Sequence, residues 1–234
     1  MTPFFGEFIG TGLLIVFGQG VVANVVLDKT KGHNGGWIVI SFGWGIAVFV
    51  GVYSSAAASG AHLSPAVTLA LALLGKLKWE SVPVYFAGQM LGAMTGSLLA
   101  WLSYRRHFEA TADADGKLAV FCTGPAIRSL VDNLITEIIA TFILVLGVLY
   151  IVSPSSSLGA LDALPVGLLV LGVGLSLGGP TGYALNPARD LGPRIMHALL
   201  PIPGKRDSDW GYAWVPVAGP MIGAALAAGA FRLL

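Results

Sequence analysis

Long runs of apolar residues, separated by short polar connections, follow one another along the whole chain. A helix that crosses the hydrocarbon core of a bilayer needs about 20 predominantly apolar residues. Runs close to this length occur six times, and most charged residues lie between them. We therefore predict six transmembrane helices, over residues 4–26, 36–58, 81–104, 130–152, 161–178 and 212–234.

One eleven-residue pattern occurs twice, about 122 residues apart: GAHLSPAVTLA at residues 60–70 and GYALNPARDLG at residues 182–192. In each copy a polar residue, Ser64 or Asn186, precedes a proline and a short apolar run. Ser and Asn are strong helix N-caps, and proline fits the first helical position. Each copy therefore predicts a helix that starts after a glycine-containing extended stretch. The predicted helices, residues 66–74 and 188–200, are too short to cross roughly 30 Å of hydrocarbon.

Two further blocks repeat in the same order around these motifs. EFIGT at residues 7–11 resembles EIIAT at residues 137–141, and AGQMLGA at residues 87–93 resembles AGPMIGA at residues 218–224. We divide a single transmembrane domain, residues 1–234, into a first repeat over residues 4–104 and a second over residues 130–234. Because each repeat holds three spans, the second must enter the bilayer from the opposite side.

The inversion brings the two short helices in from opposite faces, so that their N-termini can meet near the midplane. Non-helical backbone at this depth occurs only where it is buried in protein or lines a water-filled cavity. We therefore predict two ladders of free carbonyl groups along a pore wall. They belong to Gly60, Ala61 and His62 in the first motif and to Gly182, Tyr183 and Ala184 in the second. The alternative is a pair of ordinary proline-initiated helices in connecting loops.

Composition agrees with a membrane protein and excludes several functions. Apolar residues make up 55% of the chain and charged residues 11%, against about 25% charged in soluble domains. The net charge is +1 and the chain has no run of basic residues, so the sequence does not indicate nucleic-acid binding. With a single cysteine and no metal-ligand or triad spacing, we expect no disulfide, no metal, no cofactor and no enzyme activity. Residues 105–128, which include Cys122, form the longest polar connection, and we predict a surface loop there. We predict a short link at residues 154–158.

These motifs resemble those of the aquaporin (major intrinsic protein) superfamily, which is known by paired Asn-Pro-Ala motifs. The segment GYALNPARDLGP at residues 182–193 is similar to the glycerol-facilitator, or aquaglyceroporin, branch, where an aspartate such as Asp190 typically follows the motif arginine. The resemblance implies an all-α membrane fold of six transmembrane helices plus two re-entrant half-helices. It also implies a homotetramer with one pore per subunit, in the bilayer of the plasma membrane (the cell inner membrane of a bacterium).

The same resemblance implies a selectivity filter of Trp44, Gly174, Tyr183 and Arg189. Trp44 stands twenty residues before Ser64, where glycerol facilitators carry a pore-lining tryptophan, and Gly174 stands where water channels carry a constricting histidine. In this interpretation the glycine opens the pore, the aromatic faces accept the carbon side of a solute, and the guanidinium donates to its hydroxyl groups. The alternatives are a lipid-facing Trp44, a Gly174 that serves packing only, and an Arg189 that merely pairs with Asp190.

The family also implies structural supports and a central constriction. Glu7 and Glu137, buried carboxylates at equivalent positions, are expected to hold the motif loops together with Asp190. The constriction would be formed by Asn186 and by Ser64, where the family normally has asparagine. A serine hydroxyl also caps and donates, but it reaches less far, so we expect a slightly wider centre.

The function that follows is a passive channel for glycerol and other small uncharged polyols, with water as a secondary permeant. The nearest alternative is a broader neutral-solute pore for water, urea or protonated small acids such as lactic acid. A secondary transporter is disfavoured because the spans hold no coupling group beyond Glu7 and Glu137. A non-conducting membrane-junction protein is disfavoured by Arg189 and Gly174.

Overall fold

The computed structural model describes residues 1–151 and 162–233, and every regular element in these ranges is a helix. The expectation of an all-α fold with long helices and two short motif helices is confirmed. The predicted link at residues 154–158 lies outside the described residues. In chain order the elements are α1 (Pro3–Val26), α2 (Trp37–Ser59), α3 (Pro65–Leu73), a 3₁₀ turn (Trp79–Ser81), α4 (Val82–Ala110), α5 (Ala114–Phe121), α6 (Leu130–Ile151), α7 (Leu164–Leu177), α8 (Pro187–Leu199) and α9 (Val215–Leu233).

Four of the described helices, α1, α2, α6 and α9, are both long enough and apolar enough to cross a membrane. Helix α4 has 29 residues, and at about 1.5 Å per residue it is also longer than the hydrocarbon core is thick. The motif helices α3 and α8 have 9 and 13 residues. Neither is long enough to cross the hydrocarbon core, as the sequence predicted.

Close glycine contacts join α1 to α4 and, in the same way, α6 to α9. A Cβ atom on Gly92 would lie 2.3 Å from the carbonyl oxygen of Phe8, and one on Gly223 would lie 2.4 Å from that of Ile138. Neither position can carry a side chain without separating its two helices. Small residues at such contacts allow membrane helices to approach backbone to backbone.

Helices α2 and α7 cross at a pair of glycines whose contacts are reciprocal. A Cβ on Gly45 would lie 3.0 Å from the Gly167 carbonyl oxygen and 3.0 Å from Leu171 Cβ, and one on Gly167 would lie 2.7 Å from the Gly45 carbonyl oxygen and 3.0 Å from Phe49 Cβ. Exchange of partners in this way is what a two-fold axis produces. Gly45 and Gly167, like Phe49 and Leu171, are 122 residues apart, the same offset as the two motifs.

The prediction of a surface loop over residues 105–128 was wrong for most of its length. Helix α4 continues to Ala110, and Asp113 then caps α5 by accepting a hydrogen bond from the backbone N–H of Asp115 at 3.0 Å. Helix α5 packs against α1 and α8 and buries the apolar side of an otherwise charged segment. Cys122 follows α5 and is buried, and this burial raises the pKa of its thiol, which favours the neutral form.

Candidate functional site

The two motif helices begin next to each other in the interior, and each is capped as predicted. The Ser64 hydroxyl accepts from the backbone N–H of Ala66 at 3.2 Å. The Asn186 side-chain oxygen accepts from those of Ala188 and Arg189 at 3.0 and 3.3 Å. The Asn186 amide also donates to the Leu63 carbonyl oxygen at 2.7 Å. This bond ties the second motif directly to the first.

The loops before the two helices are not the simple extended stretches that we predicted. They contain residues in the left-handed region, which non-glycine residues enter only under constraint. The positive φ angles are the same in kind in the two loops. They are 80° at Gly60, 53° at Ala61 and 53° at Leu63 in the first loop, and 79° at Gly182, 39° at Tyr183 and 56° at Leu185 in the second.

Glu7 holds the first loop in this conformation. Its carboxylate accepts from the Ser59 hydroxyl at 2.6 Å, from the backbone N–H of His62 at 2.9 Å and from that of Leu63 at 2.7 Å. The side chain is fully buried. Since the loop N–H groups are directed to the carboxylate, the carbonyl groups of Ala61 and His62 are left without a donor among the described residues.

Glu137 holds the second loop with the same three kinds of donor. Its carboxylate accepts from the Thr181 hydroxyl at 2.6 Å, from the backbone N–H of Ala184 at 3.0 Å and from that of Leu185 at 3.1 Å. It too is fully buried. The three donors lie 122 residues after their counterparts on Glu7, so the same hydrogen-bonding arrangement occurs in both loops.

Two uncharged side chains that sequence reasoning missed, Gln89 and Thr68, complete the support in the first half. The Gln89 amide donates to Glu7 at 2.7 Å and to the Thr68 hydroxyl at 2.9 Å, and that hydroxyl lies 3.1 Å from His62 Nδ1. All three of Glu7, Gln89 and Thr68 are fully buried. A glutamine inside an apolar span was the available signal, because a polar side chain in a membrane helix needs a buried partner.

A charged network supports the second half. Asp190 accepts from the Thr123 backbone N–H and hydroxyl, each at 2.7 Å, and from Arg194 Nε at 2.9 Å. Arg194 also donates to the carbonyl oxygens of Thr123 at 2.9 Å and Ser208 at 2.8 Å. Asp190 therefore pairs with Arg194, which the sequence analysis did not single out. No ion pair joins Asp190 to Arg189 in the described part of the chain.

A cavity runs along both motif loops, with apolar walls from α1, α2, α6 and α7. Of the predicted site residues, Gly60, Gly174 and Gly182 are not among its lining, and Glu7, Glu137 and Asp190 lie behind the loops. The lining comprises Leu14, Trp44, Val48, Val52, Ala61, His62, Leu63, Ser64, Val67, Leu144, Val148, Val166, Val170, Tyr183, Ala184, Leu185, Asn186 and Arg189.

At one end of the cavity Arg189 lies over the ring of Trp44, with its guanidinium carbon 4.1 Å from the ring centroid. This is a cation–π contact, which is favourable where both groups are shielded from water. Gly18 of α1 makes room for the ring, because a Cβ there would lie 2.3 Å from Trp44 Cζ3. Arg189 Nη1 is buried and has no hydrogen-bond partner among the described residues.

Gly174 acts on this end of the cavity through Tyr183. A Cβ on Gly174 would lie 2.9 Å from Tyr183 Cζ and 3.0 Å from its hydroxyl oxygen. The Tyr183 hydroxyl is buried on that side, so the cavity contacts the ring and not the hydroxyl. The Trp37 indole N–H donates to the Gly174 carbonyl at 2.9 Å and its ring meets that of Tyr183 edge-on. The glycine thus accommodates the tyrosine ring beside the cavity.

Comparison with known protein families identifies the family to which a chain with this arrangement belongs. The family described as Major intrinsic protein matches residues 1–231. The chain belongs to this family. The Probable glycerol uptake facilitator protein of Thermotoga maritima is 57% identical over 234 residues, which are 100% of both chains. The Glycerol uptake facilitator protein of Streptococcus pneumoniae strain R6 is 57% identical over 233 residues, 100% of this chain and 99% of that protein.

The fold of this major intrinsic protein is similar to a solved structure of the same class. The aquaglyceroporin from Plasmodium falciparum superposes with a TM-score of 0.88 at 34% sequence identity, covering 97% of this chain and 93% of that one. The described residues contain no cluster of three or more histidine, cysteine, aspartate or glutamate side chains that could hold a metal ion.

Proposed function

We propose that this protein is a passive channel for glycerol and other small uncharged polyols, with water as a secondary permeant. The observation that carries the proposal is the contact of Arg189 with the Trp44 ring in a cavity that residues of both motif loops line, Tyr183 included. The glycerol uptake facilitators to which the chain is 57% identical support the same function.

The cavity has two chemically different sides, as a polyol does. The cavity is lined by residues of both motif loops, among them Ala61, His62 and Tyr183, and by valines and leucines of the surrounding helices. We infer that the loop carbonyl groups form one side and these apolar side chains the other. A polyol hydroxyl both donates and accepts, so it can donate to the carbonyls and accept from Arg189. The carbon side of the molecule meets the apolar wall and the Trp44 ring. The solute exchanges its water hydrogen bonds for protein ones without a chemical step, and the channel is no enzyme.

Ions are excluded by the electrostatics of the same site. The N-termini of α3 and α8 both point into the cavity, and each behaves like roughly half a positive charge. Arg189 adds a full charge at one end. A cation would meet this potential after losing most of its hydration, whereas an uncharged polyol would not. The Asn186 amide at the centre orients a passing water, which opposes proton transfer along a file of waters.

The protein would act as a homotetramer with one pore in each subunit, in the plasma membrane, or the inner membrane of a bacterial cell. The two repeats, residues 4–104 and 130–234, would then meet around each pore. The matching glycine contacts of α1 with α4 and of α6 with α9 support this division.

The test is stopped-flow light scattering on proteoliposomes, comparing glycerol, urea and water with protein-free liposomes. We expect glycerol permeability to rise above the lipid background by about tenfold or more, with a lower activation energy. Arg189→Lys, which keeps the charge, serves as a comparison for the filter. Glycerol permeability equal to that of protein-free liposomes would refute the proposed function.

A broader neutral-solute pore is the second candidate, and Ser64 is the observation that favours it. Asn186 bridges to the opposite loop at 2.7 Å, whereas Ser64 only caps its own helix at 3.2 Å. Among the residues that the structure describes, one side-chain bridge therefore joins the two loops at the centre. Urea and lactic acid added to the same assay, the acid at low and at neutral pH, distinguish the candidates. Lactic acid uptake at low pH comparable to glycerol uptake would favour the broader pore.

A further inference from the structure

The offset of 122 residues relates the proposed filter to a second set of side chains. Because a two-fold relation exchanges the two ends of the fold, this set corresponds to the opposite end of the cavity. The offset holds for the motif loops, for the donors on the two glutamates and for the crossing of α2 with α7. Applied to the four filter residues, it gives one counterpart for each. The counterparts of Trp44, Gly174, Tyr183 and Arg189 are Val166, Val52, Ala61 and Val67, respectively.

All four counterparts line the cavity, so the relation is spatial as well as sequential. Ala61 has the left-handed backbone of Tyr183, with φ of 53° against 39°. The end that corresponds to the filter is therefore built on equivalent backbone. Its side chains carry no hydrogen-bonding group at any of the four positions.

The residue that packs behind the filter tryptophan also differs between the two repeats. Gly18 makes room for the Trp44 ring on the filter side. The blocks beginning at Glu7 and Glu137 are 130 residues apart, which makes Val148 the counterpart of Gly18. Val148 also lines the cavity, so a valine occupies this position where the filter has a glycine with a large ring against it.

We propose that Val52, Ala61, Val67 and Val166 form an apolar collar that is a second selectivity site of the channel, favouring carbon-bearing polyols over water. This inference rests on the proposed function and locates a second place where the channel selects polyols over water. In the collar a solute finds hydrogen-bond partners only on the side of the loop carbonyls. A polyol turns its C–H groups to the valines, while a water has no apolar side and leaves part of its hydrogen bonds unmade. Apolar constrictions in channels act by such dewetting.

The test introduces hydroxyl groups into the collar with little change in size. The triple variant Val52→Thr, Val67→Thr, Val166→Thr is compared with wild type for water and glycerol permeability in proteoliposomes. We expect the water-to-glycerol permeability ratio to rise about threefold, the effect of one weak hydrogen bond at the barrier. Val145→Thr, a buried valine of α6 outside the cavity lining, is the matched control and should leave the ratio unchanged.

A second variant tests the collar by bulk. Val166→Trp combined with Val148→Gly recreates the Trp44 and Gly18 pair at the opposite end. We expect glycerol permeability to fall about tenfold and water permeability to fall less. Elution as a single oligomer reports folding, and the threonine variants carry the test if this pair does not fold.

The outcomes separate the two proposals. Wild-type protein that conducts no glycerol refutes the proposed function, and the collar with it. A wild type that conducts glycerol, with a water-to-glycerol ratio that is the same in the triple variant and in Val145→Thr, refutes the collar alone. An increased ratio in both the triple variant and Val145→Thr also refutes it, because the effect would then not be specific to the cavity.

Discussion

The two motif loops have the same backbone conformation, but the cavity-lining side chains that correspond between the two repeats differ in chemistry. Glu7 and Glu137 each hold a motif loop through one hydroxyl and two backbone N–H groups at equivalent positions. The cavity beside these loops is lined by Arg189, Trp44 and Tyr183 and also by their counterparts Val67, Val166 and Ala61. The loop conformation is therefore what the two repeats share, and the side chains that line the cavity differ.

The supports behind the loops differ as well. Thr68 and Ala72 of the first half are the counterparts of Asp190 and Arg194 in the second. The first half relies on neutral hydrogen bonds to Thr68, whereas the second buries an ion pair in which neither side chain is exposed. Besides the shared glutamates, the half that carries Arg189 is thus anchored by an additional ion pair, and the other half by uncharged side chains.

The largest effect is expected where the buried charge loses its partner. Asp190→Ala leaves Arg194 buried and unpaired, which should cost about 3–5 kcal/mol. Thr68→Ala removes only neutral hydrogen bonds and should cost about 1–2 kcal/mol. Thermal unfolding of the purified variants in detergent measures both. Equal decreases in Tm would contradict the distinction between a charged and a neutral support.

The proposed role of Arg189 can be tested by replacing it with valine, the residue at the corresponding position 67 of the first repeat. Arg189→Val removes the positive charge that lies over Trp44. Placing a charged side chain within the membrane costs at least about 2.5 kcal/mol, so we attribute a specific role to this charge. We expect proton and cation leak into liposomes, followed with a pH-sensitive dye, to rise about tenfold or more. Arg189→Lys keeps a positive charge and should remain tight. Similar leak through the two variants would show that the charge of Arg189 does not exclude ions.

The space beside Tyr183 provides a sharper test of the filter. Gly174→Ala places a methyl group 2.9 Å from the ring and should displace it toward the cavity, and overpacking of this kind costs about 1–3 kcal/mol. We expect glycerol permeability to fall several-fold, and Gly174→His to suppress it further with less effect on water. Gly172→Ala, on the same helix with open space around its Cβ, is the control. A loss of the same size in Gly172→Ala would mean that the Tyr183 contact is irrelevant.

The smallest effect is expected at the centre. Ser64→Asn gives the first motif the longer amide, which can bridge to the opposite loop as Asn186 does. We expect a gain in stability of about 1 kcal/mol, seen as a higher Tm, and glycerol permeability within about twofold of wild type. Abolished conduction would show that the serine is matched to a different central geometry.

The sequence anticipated the parts of this fold that depend on local chemistry. Proline after Ser64 and after Asn186 set both helix starts. The apolar runs predicted the described helix ends to within three residues, except that α4 continues to Ala110, beyond the predicted end at residue 104. The segment at residues 105–128 was misjudged because its charges conceal a short helix. The apolar side of α5 becomes evident only when it packs against α1 and α8.

In the candidate site, too, some features were predicted from the sequence and others were not. Arg189, Trp44 and Tyr183 were predicted as cavity residues, and all three line the cavity, where Arg189 lies over the Trp44 ring. The position of Gly174 behind the Tyr183 ring, and the role of Gln89 on Glu7 and Thr68, could not be read from spacing. Both depend on which helix lies next to which, and one glycine in an apolar span is like any other until its neighbours are known.

By itself the sequence determined that this chain is an inverted pair of repeats with two capped half-helices, because caps, prolines and apolar length act over a few residues. Only the tertiary structure decided which groups those half-helices present to the cavity. The left-handed loops persist because Glu7 and Glu137, distant in sequence, take up their N–H groups. The pairing of Asp190 with Arg194, which leaves Arg189 to the Trp44 ring, likewise depends on long-range packing, where the geometry of neighbouring helices and loops selects among partners that the sequence leaves equally possible.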